Sequence, residues 1–421
     1  MTDRPTADGD AALVTLDVGA VAHGGHCVAR HEGRVVFVRH TLPGERVRAR
    51  LTDAGAAARF WRADAVEVLE ASGDRVPSAW PEAGPGGVGG GELAHVALPA
   101  QRTWKAAVVM EQLRRLAGDE RDVAVEAAPG DDGRGGLRWR TRVELVVDGD
   151  GRSGMHRHRS HDVVPLAAMP LATEATGVDG VLARRWPPGT RLTLVAPAGG
   201  DRPLLLVDGV PWVSGRPDQR PTARTSVRER LERPGGELSW RVAGDGFWQV
   251  HREAPGVLVG AVLDALAVDG LEGARVVDLY AGAGLFSVPL ADAVGERGAV
   301  VAVEGAPRAV RDLRRNVHDR PWARLHRGGV AEVLADGAVG RADVVVLDPP
   351  RVGAGRRVVE GVAATGAGRV VLVACDPAAL ARDVALLTQA GYALDRLRAF
   401  DLFPMTHHVE AVAVLSRLGA A

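Results

Sequence analysis

From about residue 257 onward the sequence repeats one unit, a short run of aliphatic residues followed by a turn and a longer stretch with helical spacing. The runs are ARVVDLY, AVVAVEG, ADVVVLDPP, GRVVLVACDP and a closing VEAVAVLSRL. Strands that are apolar at successive positions, rather than at alternate ones, need cover on both faces. The pattern therefore predicts an α/β domain, a doubly wound, Rossmann-like parallel sheet between two layers of helices. In such sheets ligands bind beyond the carboxyl ends of the strands, so the residues at those ends carry the chemistry.

Read strand by strand, those ends are informative. VVDLYAGAGLFSVPLA, residues 276–291, runs from strand through glycine turn to helix, with Asp278 near the strand end and Gly282 and Gly284 where a ligand can approach the backbone. The next strand ends in Glu304, where an acidic side chain accepts bonds from ribose hydroxyls. A nucleotide-like cofactor is implied. The third glycine of the dinucleotide pattern G-x-G-x-x-G falls on Ser287, so the turn is not that fingerprint. Further on stand Asp348-Pro349-Pro350-Arg351, a turn stiffened by two prolines, and Cys375-Asp376-Pro377, which places a thiol on the same rim. Glu410 opens the last strand after a turn that contains Pro404, His407 and His408, two histidines read as loop residues rather than metal ligands.

Bulk properties narrow the field. At 421 residues the chain has room for two or three domains. Its net charge of −1 argues against a protein that coats nucleic acid through many phosphate contacts. Nearly all of its cations are arginines, Lys105 being the only lysine. With two cysteines, Cys27 and Cys375, it can build neither a disulfide framework nor a thiolate cage. No apolar run is long enough to span a membrane, and the polar start MTDRPTADGD is not a secretory signal, so a cytoplasmic protein is expected.

Ahead of the repeating units the pattern differs. Residues 11 to about 70 alternate short apolar runs with turns at His23-Gly24-Gly25-His26, Glu32-Gly33 and Pro43-Gly44, which predicts a small OB-like β-barrel. Residues 71–100 are rich in glycine and proline and read as a linker, and Gln101–Leu116 as one helix. A β-rich stretch follows, with Arg138, Arg140 and Arg142 expected on one strand face and Asp150-Gly151 marking a hairpin before Arg157 and Arg159. Seven arginines against three acids between 133 and 160 could face phosphates or form a solvated strand face. Residues 214–238 read as a mobile connection. Three domains are expected, at 1–70, 71–245 and 246–421.

Two resemblances sharpen this reading. The GG turn followed by a strand and LPGE resembles a TRAM domain, an RNA-holding module of several RNA-modifying enzymes. DLYAGAG, DPPR, ACDPAALARD and DLFPMTHHVE, in this order, resemble the RNA uracil-5-methyltransferase family, a class I S-adenosylmethionine-dependent group. The resemblance implies Cys375 as nucleophile, Glu410 as proton acceptor, and Gln249, Tyr280, Glu304 and Asp348 around S-adenosylmethionine. Gln249 comes from GFWQVH, similar to the family's F-x-Q-V-N, with His251 in place of the asparagine. The substrate implied is ribosomal or transfer RNA, with ribosomal RNA favoured.

The chemistry explains the residue types. Carbon 5 of uracil is too weak a nucleophile to take a methyl group directly. A thiolate added at carbon 6 makes the base an enolate that can, and a base must then remove the carbon 5 proton. Two other functions stay open at this point, an RNA-binding protein that has lost catalysis and a class I methyltransferase directed at an amine, for which Cys375 would be dispensable. Many family members hold an iron-sulfur cluster on four cysteines. Here the corresponding positions are Trp80, Val88, Gly91 and Met169, so no iron-sulfur cluster and no other metal is expected.

Overall fold

The computed structural model describes residues 12–158, 160–234, 236–267 and 270–419, so Arg159 lies outside the described residues. Five strands, β1 (Leu13–Ala22), β2 (His26–His31), β3 (Arg34–Arg39), β4 (Arg46–Asp53) and β5 (Trp61–Glu70), form a closed barrel in the order β1-β2-β3-β5-β4. Alternate residues such as Val36 and Val38, or Val47 and Ala49, fill its interior. Cys27 lies there too, its thiol near the Thr41 carbonyl, and burial pushes it up to about 12. It is a packed residue.

Residues 71–97 wind irregularly to helix α1 (Leu98–Gln112), which begins three residues before the expected start, with Pro99 in its first turn. β6 (Val125–Ala127) then pairs with a strand of the C-terminal sheet. The middle of the chain is a sheet of β7 (Arg142–Val147), β8 (Ser153–His156), β9 (Val163–Pro165), β10 (Arg191–Val195), β11 (Leu204–Val207), β12 (Val210–Val213) and β13 (Arg216–Pro217), with the short helix α2 (Val178–Leu182) beside it. Its core is built on Trp139, Leu145, Trp186 and Leu192.

Two expectations fail here. Residues 214–238 are not a mobile connection: β14 (Ser226–Arg233) pairs over its whole length with β15 (Gly236–Ala243). Val227, Leu238, Trp240 and Val242 point inward while Arg228, Arg230 and Arg241 point out, a period of two that the arginine content disguises. Nor do Arg138, Arg140 and Arg142 share a strand face. The strand starts only at Arg142, which is buried and donates to Glu229 and to the carbonyls of Gly244 and Gly246. Arg138 is exposed with φ +54° and pairs with Glu174.

The C-terminal part alternates as expected: α3 (Ala254–Leu266), β16 (Arg275–Leu279), α4 (Ser287–Val294), β17 (Ala299–Glu304), α5 (Pro307–Asn316), β18 (Ala323–Arg327), α6 (Val330–Ala335), β19 (Val344–Leu347), α7 (Gly355–Ala364), β20 (Arg369–Ala374), α8 (Pro377–Gln389), β21 (Tyr392–Asp401) and β22 (Glu410–Arg417). Sheet order is β18-β17-β16-β19-β20-β22-β21-β6. β22 alone among the paired strands runs antiparallel to its neighbours β20 and β21. Successive residues of one strand serve two cores. Val276, Val346, Val371 and Val412 face one, whereas Val277, Val345, Val370 and Ala411 face the other. This accounts for the continuous apolar runs. No helix among the described residues is long and apolar enough to cross a membrane.

Candidate active site

The parallel strands deliver their following turns to one edge of the sheet, and β22, running the other way, begins there. β16 leads into Tyr280–Phe286, β17 ends in Glu304, β19 is followed by Asp348–Arg351 and β20 by Cys375. Ala374 pairs with Ala411, so Cys375 and Glu410 come opposite each other across the β20–β22 ladder. A cavity of about 580 Å³, within the usual range for small-molecule sites, is lined by Cys375, Glu410, Gln249, Tyr280, Glu304 and Asp348. The structure thus brings all six expected residues together. Arg140, Arg351, Phe247 and His408 also line it.

Charge in the cavity is suppressed by burial. Desolvation, with Glu410 and Asp348 adding to it and Arg351 opposing, pushes the Cys375 thiol up to about 12. Asp348 rises to about 7 by burial, and Glu410 is held well above the usual carboxylate range by burial and then by Asp348. Burial, His407 and Arg351 draw His408 down to about 3, so its Nε2 is free to accept from Arg351 Nη2 at 3.3 Å. At rest Cys375 is a thiol.

The cofactor end is shaped by glycine. Gly282 has φ +57°, and a Cβ there would enter open space on the cavity wall; at Gly284, φ +93°, it would meet Leu313 at 2.8 Å. Glu304 accepts the Gly282 N–H at 2.8 Å and the Ala306 N–H at 2.6 Å, which fixes its carboxylate at the rim. From outside, Trp240 Nε1 donates to the Gly284 carbonyl and Asn316 Nδ2 to that of Ala283, each at 2.8 Å. The β14–β15 hairpin is therefore a buttress of the glycine turn. Asp278 lies beneath, fully buried and raised to about 7 by that burial, with Ser287 as its hydrogen-bond partner. Tyr280 holds φ +62°, a conformation non-glycine residues seldom adopt. A fixed acid for ribose hydroxyls, a cradle without side chains and apolar walls from Phe247, Leu285, Phe286 and Pro349 fit S-adenosylmethionine.

Support comes from side chains far away in sequence. Lys105 Nζ donates to Asp401 at 2.5 Å and to the Phe403 carbonyl at 3.0 Å. Gln101 takes the Met405 N–H at 2.7 Å, holding that residue at φ +67° just ahead of Glu410. His251 is a structural residue: Nε2 donates to Asp131 at 2.9 Å, Nδ1 accepts the Glu253 N–H at 3.1 Å, and the ring stacks on Trp139. Trp80, Val88 and Met169 pack in one apolar cluster, with Gly91 close against the Trp80 ring. No thiolate stands there to hold iron, and no group of three or more His, Cys, Asp or Glu among the described residues is placed to hold a metal ion. Sequence reasoning missed Arg140 as a pocket residue, since nothing in the chain sets it apart from its neighbouring arginines.

Comparison with known proteins agrees with this architecture. A TRAM domain profile matches residues 13–66, and a tRNA (Uracil-5-)-methyltransferase profile matches 334–418. A Streptomyces coelicolor protein named as an uncharacterized RNA methyltransferase is 45% identical over 437 residues, 95% of this chain and 92% of the relative. The 23S rRNA (uracil(1939)-C(5))-methyltransferase of Pseudomonas entomophila is 34% identical over 434 residues, 95% of this chain and 92% of the relative. In fold, the chain is similar to Pyrococcus abyssi tRNA (uracil-54, C5)-methyltransferase in complex with S-adenosyl-L-homocysteine, with a TM-score of 0.68, 21% identity, and coverage of 94% of this chain and 100% of that one. The chain belongs to the RNA uracil-5-methyltransferase family, as an S-adenosylmethionine-dependent enzyme that acts on RNA and carries an N-terminal TRAM domain.

Proposed function

We propose that this enzyme methylates a uridine of ribosomal RNA, in preference to transfer RNA, through a covalent bond between Cys375 Sγ and carbon 6 of the base. The observation that carries the mechanism is the placement of Cys375 and Glu410 on adjacent strand ends in one cavity with Asp348. S-adenosylmethionine, when bound, supplies an electrophilic methyl group on a sulfonium. Cys375 gives up its proton to water, and the thiolate adds to carbon 6, which turns carbon 5 into the nucleophile. After methylation Glu410 takes the carbon 5 proton, and the carbon–sulfur bond breaks to release the thiolate. Glu304, Tyr280, Gln249 and Asp348 hold the cofactor, and the Arg140 and Arg351 guanidiniums face the negative charge that builds on the ring.

Ribosomal RNA is supported by the near full-length likeness to a protein named for 23S rRNA. A cytoplasmic setting goes with that substrate. We also read the chain as a barrel at 1–70, a central part at 71–245 and a catalytic part at 246–421, α1 and β6 lending themselves to the catalytic sheet. The test is Cys375→Ala with RNA that contains 5-fluorouridine. The wild type traps a covalent adduct, while the variant binds S-adenosyl-L-homocysteine yet forms no adduct and no 5-methyluridine. Retained turnover would overturn the mechanism, and mapping 5-methyluridine in cells with and without the gene decides the RNA.

A further inference from the structure

The turn between β1 and β2, His23-Gly24-Gly25-His26, reaches out of the barrel and touches both catalytic loops. His23 Nε2 lies 2.9 Å from Asp376 Oδ2. Asp376 directly follows Cys375 and is the N-cap of α8, its Oδ1 accepting the Ala379 N–H at 2.8 Å. One carboxylate thus ties the barrel to the strand-to-helix turn that bears the thiol. Two residues along, Gly25, φ +77°, lies flat on His407: a Cβ on it would stand 3.2 Å from His407 Cβ. His407 in turn faces Glu92 at 3.5 Å and precedes His408 on the cavity wall.

A barrel that only held RNA would have no use for an imidazole spent on a catalytic-domain carboxylate. We propose that His23 is a positioning residue for methyl transfer: through Asp376 it fixes the turn that aims Cys375, which makes the barrel a working part of the catalytic centre. Asp376 is partly exposed, so without His23 water competes for Oδ2 and the turn is left to the helix cap alone. The inference rests on Cys375 as the attacking thiol.

The full-length enzyme is assayed on ribosomal RNA from cells that lack the gene, with His23→Ala, His23→Asn and His23→Gln beside Cys375→Ala. A glutamine amide carries N–H donors to about the reach of Nε2, whereas asparagine is one methylene short. His23→Ala and His23→Asn are expected to lower kcat, and the rate of adduct formation on 5-fluorouridine RNA, by roughly 10- to 100-fold, the scale of a 1 Å misplacement. KM for RNA and affinity for S-adenosyl-L-homocysteine stay unchanged, and His23→Gln recovers most of the rate. Intact kcat with raised KM would make His23 an RNA contact and overturn the proposal. So would unchanged kinetics, or a loss that glutamine does not recover. Activity in Cys375→Ala would instead sink the reading of the thiol; an inactive Cys375→Ala beside an unaffected His23→Ala sinks the positioning role alone.

Discussion

Cys375 and Glu410 face each other across the β20–β22 ladder, each one residue beyond or at the end of the strand past the Ala374–Ala411 pair. Because β22 is antiparallel, it can present its first residue where β20 has just ended. The proposed nucleophile and proton acceptor are therefore placed opposite each other by backbone register. Glu410→Gln should leave the attack and the methyl transfer in place but block elimination. The expected result is a methylated covalent complex that accumulates on unmodified RNA, visible as a denaturation-resistant band, with turnover down at least about 100-fold, the low end of the range for a lost general base.

The Cys375 thiol, pushed up to about 12, is almost wholly protonated at neutral pH. In the proposed mechanism the thiolate attacks, so adduct formation in a single turnover should rise about tenfold per pH unit between roughly pH 7 and 9, where thiolate fraction limits the rate. Arg351→Gln removes the cation that opposes this rise and should slow the step at every pH. A flat profile in the wild type would refute the assignment.

Asp348 is a carboxyl raised from its ordinary value to about 7. The folded state then binds its proton more tightly than the unfolded chain does. The associated stability is present at acid pH and is lost as pH rises through about 7. Asp348→Asn should raise the melting temperature at pH 8, the ceiling being about 4 kcal/mol for a shift of three units, and the gain should shrink toward pH 4. Methylation is lost in the same variant.

Trp80 is 1% exposed and fills the space beside Gly91, Val88 and Met169. Trp80→Ala should destabilise the protein by about 3–5 kcal/mol in denaturant unfolding. Purified wild type should contain no iron by metal analysis, because the donor set offers no thiolate.

Lys105→Met leaves buried Asp401 with only Arg102 at 3.9 Å for a partner and should cost up to about 3–5 kcal/mol, whereas Lys105→Met with Asp401→Leu should recover most of it. Turnover in the double variant should stay low, since the Phe403 carbonyl loses its tie to α1 and keeps only the local Thr406 donors.

What could be read from the sequence follows from locality. The aliphatic strands, the turn glycines and the strand-end residues Asp348, Cys375 and Glu410 are signalled by neighbours within a few positions. The β14–β15 hairpin escaped because its inward residues Val227, Leu238, Trp240 and Val242 are interleaved with arginines that look like solvated chain. Arg142 was misplaced for a different reason: its partner Glu229 is 87 residues away. The short β6 strand exists only through its pairing with β21, far along the chain, and the His23–Asp376 bond, across 353 residues, only because the barrel meets the turn after β20.

The burial of Lys105 reaches beyond stability. It is the chain's only lysine, and it is sealed against Asp401, so every basic side chain the folded surface offers to phosphate is a guanidinium or an imidazole. Acylating metabolites find no side-chain amine to neutralise there, and no lysine acetylation can loosen the enzyme's hold on RNA. The guanidiniums keep their charge across the alkaline range in which lysine side chains lose theirs.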